Sequence, residues 1–247
     1  MEASDTPFSL TLFDSIDLRD ADGRSVERLL TNSKAVGLLA YLAVPSVGRF
    51  VRRDRLVAMF WPGLDQQRAR TALRKTVFAI RTALGPESVH SRGEEEVALS
   101  NRVLRCDAAD FIRAADEGFL VAALQLVRGE LMPGFHLAEC LELDQWLEQE
   151  RTNARERAAA AAWALAKRLE SDQQLSDAVG MARLSVRIAW TDERALRRAL
   201  LMLDRIGDRA GALRLYEEFT RRLRTELDAE PSPETVEVAA RLRSLQA

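Results

Sequence analysis

Two histidines, His90 and His136, serve a chain of 247 residues, so the residue order suggests neither a Ser-His-Asp nor a Cys-His pairing. Cysteine is equally scarce. Cys106 and Cys140 stand alone, without Cys-x-x-Cys spacing and without histidines at zinc-ligand intervals, and both are expected as buried, reduced thiols. His136, Glu139 and Cys140 lie close together but match no established zinc pattern, so no metal is expected. The chain lacks a Gly-x-x-x-x-Gly-Lys-Ser/Thr loop able to cradle phosphates, which excludes ATP hydrolysis of that type. No cofactor is expected, and the chain reads as a non-enzyme. It has no apolar run near the ~18 residues that a membrane span needs, so it reads as soluble. Met1 to Pro7 carries neither the basic nor the apolar stretch of an export signal, and a cytoplasmic location follows.

What the chain does have is length and charge. Its 247 residues suffice for two domains with their own cores, at 47% hydrophobic and 30% charged residues. The net charge of -2 conceals an asymmetry: residues 1–106 hold 16 Lys/Arg against 13 Asp/Glu, and residues 107–247 hold 20 against 25. Within 49–81 nine basic residues face only Asp54 and Asp65. A positive segment on an acidic protein is the footprint of a nucleic-acid contact, although a solvated helix surface has the same composition.

Chain order separates two textures. Residues 8–31 read as short strands: Phe8, Leu10 and Leu12 alternate with polar neighbours, and a turn at Asp20 to Gly23 precedes Val26 to Thr31. Ser33 can cap a helix through Val36 to Leu42 that Pro45 ends. A second helix carries Leu56, Val57, Phe60 and Trp61 and stops at Pro62-Gly63. A third starts at Asp65 as N-cap, runs to about Leu84 and closes at Gly85-Pro86. Then Val89 to Ser91 and Val97 to Leu99 flank Gly93 and three glutamates as a hairpin, with Val103 to Cys106 as a further strand. Sheet, three helices and hairpin are the parts of a winged helix-turn-helix. After Asp107 the sequence turns helical throughout. Asp177-Ala178 and Gly211-Ala212 open similar helices 34 residues apart, the tetratricopeptide period, each behind a partner helix carrying Trp163, Leu165 and Leu169 or Leu196, Leu200 and Leu203. Trp146 and Trp163 read as core residues. The fold expected is mainly α: a winged helix-turn-helix (α+β) over 1–106, followed by an all-α tetratricopeptide-like domain over 107–247.

The third helix carries the functional signal. At 100° per residue Ala69, Leu73, Val77, Ile80 and Leu84 form the core-facing stripe, which leaves Arg68, Thr71, Arg74, Lys75, Phe78 and Thr82 facing outward. Such a face suits a DNA major groove, where an arginine or lysine that donates to guanine O6 and N7 contributes roughly 1–3 kcal/mol of discrimination. Arg81, at the edge, is expected to meet phosphate. Three readings are open for Phe78: contact with a thymine methyl, a dimer contact, or packing under the wing. Arg52 and Arg53 at the second helix's start, and Arg92 and Arg102 around the hairpin, are candidate phosphate anchors, with plain surface charge as the alternative. Glu94, Glu95 and Glu96 argue against deep insertion of the hairpin tip into a minor groove.

These motifs resemble a known family. Val51-Arg-Arg-Asp-Arg-Leu to Phe60-Trp61-Pro62, and Ala72-Leu73-Arg74 to Ala83-Leu84-Gly85, resemble the OmpR-type winged helix of SARP-like transcriptional regulators. Gly129-Glu-Leu-Met-Pro-Gly-Phe135, Trp146 to Arg151, Gly207 to Leu213, Tyr216-Glu and Glu230 to Thr235 resemble the bacterial transcriptional activator domain. The resemblance implies binding to double-stranded promoter DNA at direct repeats by tandem protomers, hence a homodimer on tandem sites, with activation through RNA polymerase. It also implies a cytoplasmic protein that joins the nucleoid when bound. Arg52 stands where such proteins often have a small capping residue, and Lys75 where an apolar residue is common, so the target sequence does not carry over. The alternatives are a helical-repeat interaction module or a regulatory fragment of a larger protein.

Overall fold

A computed structural model describes residues 7–44 and 48–244 in two compact units, Met1–Ala154 and Arg155–Ala247. The first unit contains β1 (Phe8–Thr11), β2 (Asp17–Asp20), α1 (Glu27–Leu30), α2 (Ser33–Ala43), β3 (Val51–Arg52), α3 (Arg53–Phe60) and α4 (Gln66–Leu84). A single 3-10 turn, Pro86–Ser88, leads into β4 (Val89–Arg92), β5 (Glu96–Leu99), β6 (Leu104–Cys106), α5 (Asp107–Asp116) and α6 (Leu120–Leu126). The long α7 (Leu141–Ser171) starts in the first unit and ends in the second, which continues with α8 (Leu175–Ile188), α9 (Glu193–Ile206), α10 (Arg209–Leu227) and α11 (Pro233–Ser244).

The first unit holds two three-stranded sheets. In the first, β1 lies between antiparallel β2 and parallel β6, and Leu10 faces Leu18 across the ladder with both buried. In the second, β5 lies between β3 and β4, and the register Arg92↔Glu96 leaves a three-residue tip whose Gly93 sits at φ +58°. The core of the unit is mostly aliphatic, with one phenylalanine: Leu38, Leu39 and Leu42 of α2, Leu56 and Phe60 of α3, and Leu73 and Ile80 of α4 are at most 1% exposed. The winged helix-turn-helix is therefore present, with two changes of detail. Val26 to Thr31 is not a strand. Pairing ends after the Arg19↔Ser25 bridge and the bond from Val26 N to Leu18 O, and Glu27–Leu30, good helix formers without apolar alternation, wind into α1. The cap of α2 is Asn32 rather than Ser33, its side chain accepting from Ala35 N at 3.1 Å. Pro45, expected to end that helix, and residues 1–6 of the polar leading segment lie outside the described residues.

The chain beyond Cys106 is stitched onto β1. The Asp107 carboxylate accepts from Leu12 N at 2.9 Å, Phe13 N at 3.1 Å and Ala108 N at 2.7 Å. Burial raises its pKa above the ordinary carboxylate value, while those backbone bonds pull the other way. Burial, with Asp107 alongside, pushes the Cys106 thiol up to about 12, which makes it the inert buried thiol expected. Further on, Met132 N donates to Leu12 O at 2.6 Å, and Arg151 holds the same loop through the Leu131 and Met132 carbonyls at 2.9 and 2.5 Å. Trp146 stacks edge-on against Tyr41 at 4.8 Å.

In the second unit the 34-residue period corresponds to equivalent positions, because Ala178 of α8 and Ala212 of α10 are both fully buried. Ser185 Oγ of α8 donates to Ala159 O of α7 at 2.9 Å, and α9 turns Leu196, Leu200 and Leu203 into the core between α8, α10 and α11. Gly207, left-handed at φ +95°, ends α9, and Asp208 at once caps α10 through Gly211 N. A Cβ on Gly211 would lie 2.0 Å from the Asp208 carboxylate, so a larger residue there displaces the capping side chain.

Asp107→Ala leaves the buried amides of Leu12 and Phe13, just past β1, without an acceptor. The expected loss is about 1–3 kcal/mol of unfolding free energy, read by urea denaturation.

Candidate nucleic-acid interface

The orientation of α4 follows from its ends and its inner stripe. Asp65 Oδ1 accepts from Arg68 N at 2.9 Å and fixes the first turn, while Gly85 at φ +93° stops the last. Between them Ala69, Leu73, Val77, Ile80 and Leu84 are buried against α1, α2 and α3, as the periodicity requires, and Thr76 joins them by donating to Ala72 O. A helix pinned along that stripe turns its other side out. Arg68, Thr71, Arg74, Lys75, Phe78 and Thr82 are all exposed, and Phe78 is 72% exposed, so it does not pack under the wing.

An open groove of about 870 Å³ separates α4 from the hairpin tip, lined on the helix side by Arg70, Thr71, Arg74, Lys75, Phe78 and Arg81 and opposite by Arg53, Glu94 and Glu95. A second groove, on the other flank of the helix, is lined by Gln67, Arg68, Thr71 and Lys75. Arg74 and Lys75 form no hydrogen bond or ion pair with the described residues, so their donors point outward unspent. The Thr71 and Thr82 hydroxyls donate to the carbonyls one turn back, Gln67 O at 2.9 Å and Phe78 O at 2.8 Å, which leaves their oxygens free to accept.

Most of the remaining cations are engaged. Arg81 donates through Nε and a terminal nitrogen to Val89 O, at 3.2 and 2.7 Å, and to Ser91 Oγ at 3.2 Å, so it ties α4 to β4. Arg53 reaches Ser91 Oγ at 3.1 Å, and its Nε is buried without a partner. Burial, then the Arg81 and Arg74 guanidiniums, lower its pKa from the ordinary arginine value, and Glu94 opposes them. Arg52 pairs with Glu95 at 3.1 Å, and Arg92 pairs with Glu96 at 2.5 Å while stacking on Phe50. Arg68 pairs with Asp65 at 3.2 Å. Arg102 is exposed in the turn before β6 and lines neither groove. Sequence reasoning passed over Gln67 and Arg70. Arg70 lies one residue off the chosen wheel positions and pairs with Asp54 at 2.9 Å, a partner 16 residues away.

Similarity to known proteins bears on this geometry. The family described as the bacterial transcriptional activator domain matches residues 91–243. The chain belongs to that family. No curated protein is similar enough to count as a relative. Among solved structures, Mycobacterium tuberculosis EmbR in complex with a low affinity phosphopeptide is similar over 98% of this chain, at a TM-score of 0.66 and 19% identity. At that identity the likeness establishes the fold: a small N-terminal sheet region with its helices, followed by a helical domain. This chain spans 66% of the length of that one, just under two thirds.

The part shared with bacterial transcriptional activator domains begins at Ser91, inside the hairpin, and ends at Arg243 in α11. The groove-facing side of α4 is thus contributed by residues N-terminal to the family match. No helix among the described residues is long and apolar enough to cross a membrane. His136, set aside above as a metal ligand, lies 2.9 Å from Asp144.

Arg81→Ala removes the donors that satisfy the Val89 carbonyl and detaches the hairpin from α4. The expected cost is about 1–3 kcal/mol in chemical denaturation, together with faster amide exchange in β4.

Proposed function

We propose that this chain is a sequence-specific DNA-binding transcriptional regulator that inserts α4 into a major groove. The observation that carries the reading is the pair Arg74 and Lys75, exposed and unpaired beside Phe78 and two acceptor hydroxyls on the face opposite a fully buried stripe. Each cation can donate to guanine N7 and O6, each Thr oxygen can accept from a base amine, and the Phe78 ring can cover a thymine methyl. Arg52, Arg53 and Arg81 flank this face where the phosphate backbone would run, Arg68, Thr82 and Arg92 extend it, and Arg102 is a separate candidate phosphate contact in the turn before β6. Residues 1–106 form the DNA-reading part and 107–247 the activating part. The activating part contacts RNA polymerase while tandem protomers occupy direct repeats in promoters. The protein works in the cytoplasm, on the nucleoid, and no catalysis is assigned to it.

One observation favours a second reading, a protein-interaction module. The family match covers the helical part and leaves α4 out. Salt separates the two, because DNA binding through several phosphates weakens with a log-log slope near -0.9 per contact, whereas a protein-only partner shows little slope.

Genomic fragments selected by the purified chain supply the operator for footprinting. Arg74→Ala combined with Lys75→Ala is expected to abolish sequence-specific protection with an unchanged circular dichroism spectrum. Undiminished protection assigns base reading to other residues.

A further inference from the structure

Of three consecutive glutamates at the end of the hairpin, two are paired with an arginine. Glu95 pairs with Arg52 at 3.1 Å and Glu96 with Arg92 at 2.5 Å. Glu94 lines the same groove as Arg53, and its charge favours the ionised form of that guanidinium. The two arginines paired this way are among those placed to meet phosphate. Arg74 and Lys75, placed to meet bases, have no carboxylate of their own among the described residues. The wing's two paired arginines are thus masked, whereas Arg74 and Lys75 on the outer face of α4 are open.

We propose that Glu94, Glu95 and Glu96 act as internal phosphate mimics that mask Arg52, Arg53 and Arg92 in the free protein and hold down attraction to DNA of arbitrary sequence. This rests on the DNA-binding reading above. Exposed ion pairs are weak and exchange readily, so the mask yields to a duplex. An arginine that trades a carboxylate for a phosphate gains little, however, and the displaced carboxylate stays beside the DNA and repels it. Such an exchange also contributes less to the salt dependence than a fresh contact, in which an unpaired cation replaces a condensed counterion. The masked chain must then depend on base contacts to stay bound.

The test measures binding of a mixed-sequence duplex by fluorescence anisotropy between about 50 and 200 mM salt. Wild type is compared with Glu94→Gln/Glu95→Gln, isosteric changes at exposed positions, and with Glu87→Gln/Glu117→Gln, which removes the same charge away from the groove. The wing variant is expected to bind roughly three- to tenfold more tightly at the lowest salt, with a log-log slope steeper by about 1 to 2, while the control stays near wild type. Wild-type affinity and slope in the wing variant would overturn the mask and leave DNA binding standing. An equal gain in the control would overturn it too, since net charge rather than position would then be responsible. If wild type and wing variant alike bound no duplex at low salt, the DNA-binding reading itself would fall, and the mask with it.

Discussion

Burial of one aliphatic stripe on α4 sets the rotation of that helix about its axis, and the rest of the N-terminal unit is arranged around that rotation. Leu73 and Ile80 sit in the core with Leu38, Leu39, Leu56 and Phe60, and all are at most 1% exposed. Removing a single such side chain costs on the order of 2–5 kcal/mol, whereas an exposed ion pair contributes on the order of 0–1 kcal/mol. The hydrophobic term therefore decides which side of α4 faces water. The surface pairs Arg68–Asp65 and Arg70–Asp54 adjust to that choice and do not make it.

Electrostatics acts at the next level. With the helix face fixed, the hairpin fixes the groove. Arg81 bonds the Val89 carbonyl, the register Arg92↔Glu96 sets a three-residue tip, and the tip carries carboxylates toward the arginines of β3 and α3. The result is a surface whose cations differ in availability although they are the same in kind. That difference matters for a DNA reader, whose sequence-independent affinity comes from phosphate contacts and whose selectivity comes from base edges.

Much of this was legible in the sequence because it is local. The Asp65 cap, the stripe Ala69 to Leu84, the Gly85 stop and the outward set Arg68 to Thr82 all follow from 3.6-residue periodicity and end signals. The 34-residue period was likewise legible, since each repeat buries an equivalent alanine. What escaped was either marginal or distant. Val26 to Thr31 is short, its apolar residues do not alternate, and one bridge with Arg19 decides where strand gives way to helix. The partners Arg52 and Glu95 lie 43 residues apart, and Arg81 reaches a carbonyl on a separate strand, so no spacing rule foretells either. Of the phosphate anchors inferred from charge alone, Arg52, Arg53, Arg81 and Arg92 are thus already engaged with the protein. The pair at 74 and 75 stays unengaged because the nearest carboxylates, Asp54, Asp65 and Glu95, are paired with Arg70, Arg68 and Arg52.

Thiol accessibility tests the central claim most directly, since Cys106 and Cys140 are both buried. Lys75→Cys and Phe78→Cys place single probes on the outer face of α4, and Val77→Cys places one on the inner stripe. The account expects the first two to react with a maleimide at the rate of a free thiol and to be shielded by duplex DNA, with the third inert in the native state. Inert outer probes, or a reactive probe at 77, would mean that α4 is rotated or covered, and the proposed interface would not exist.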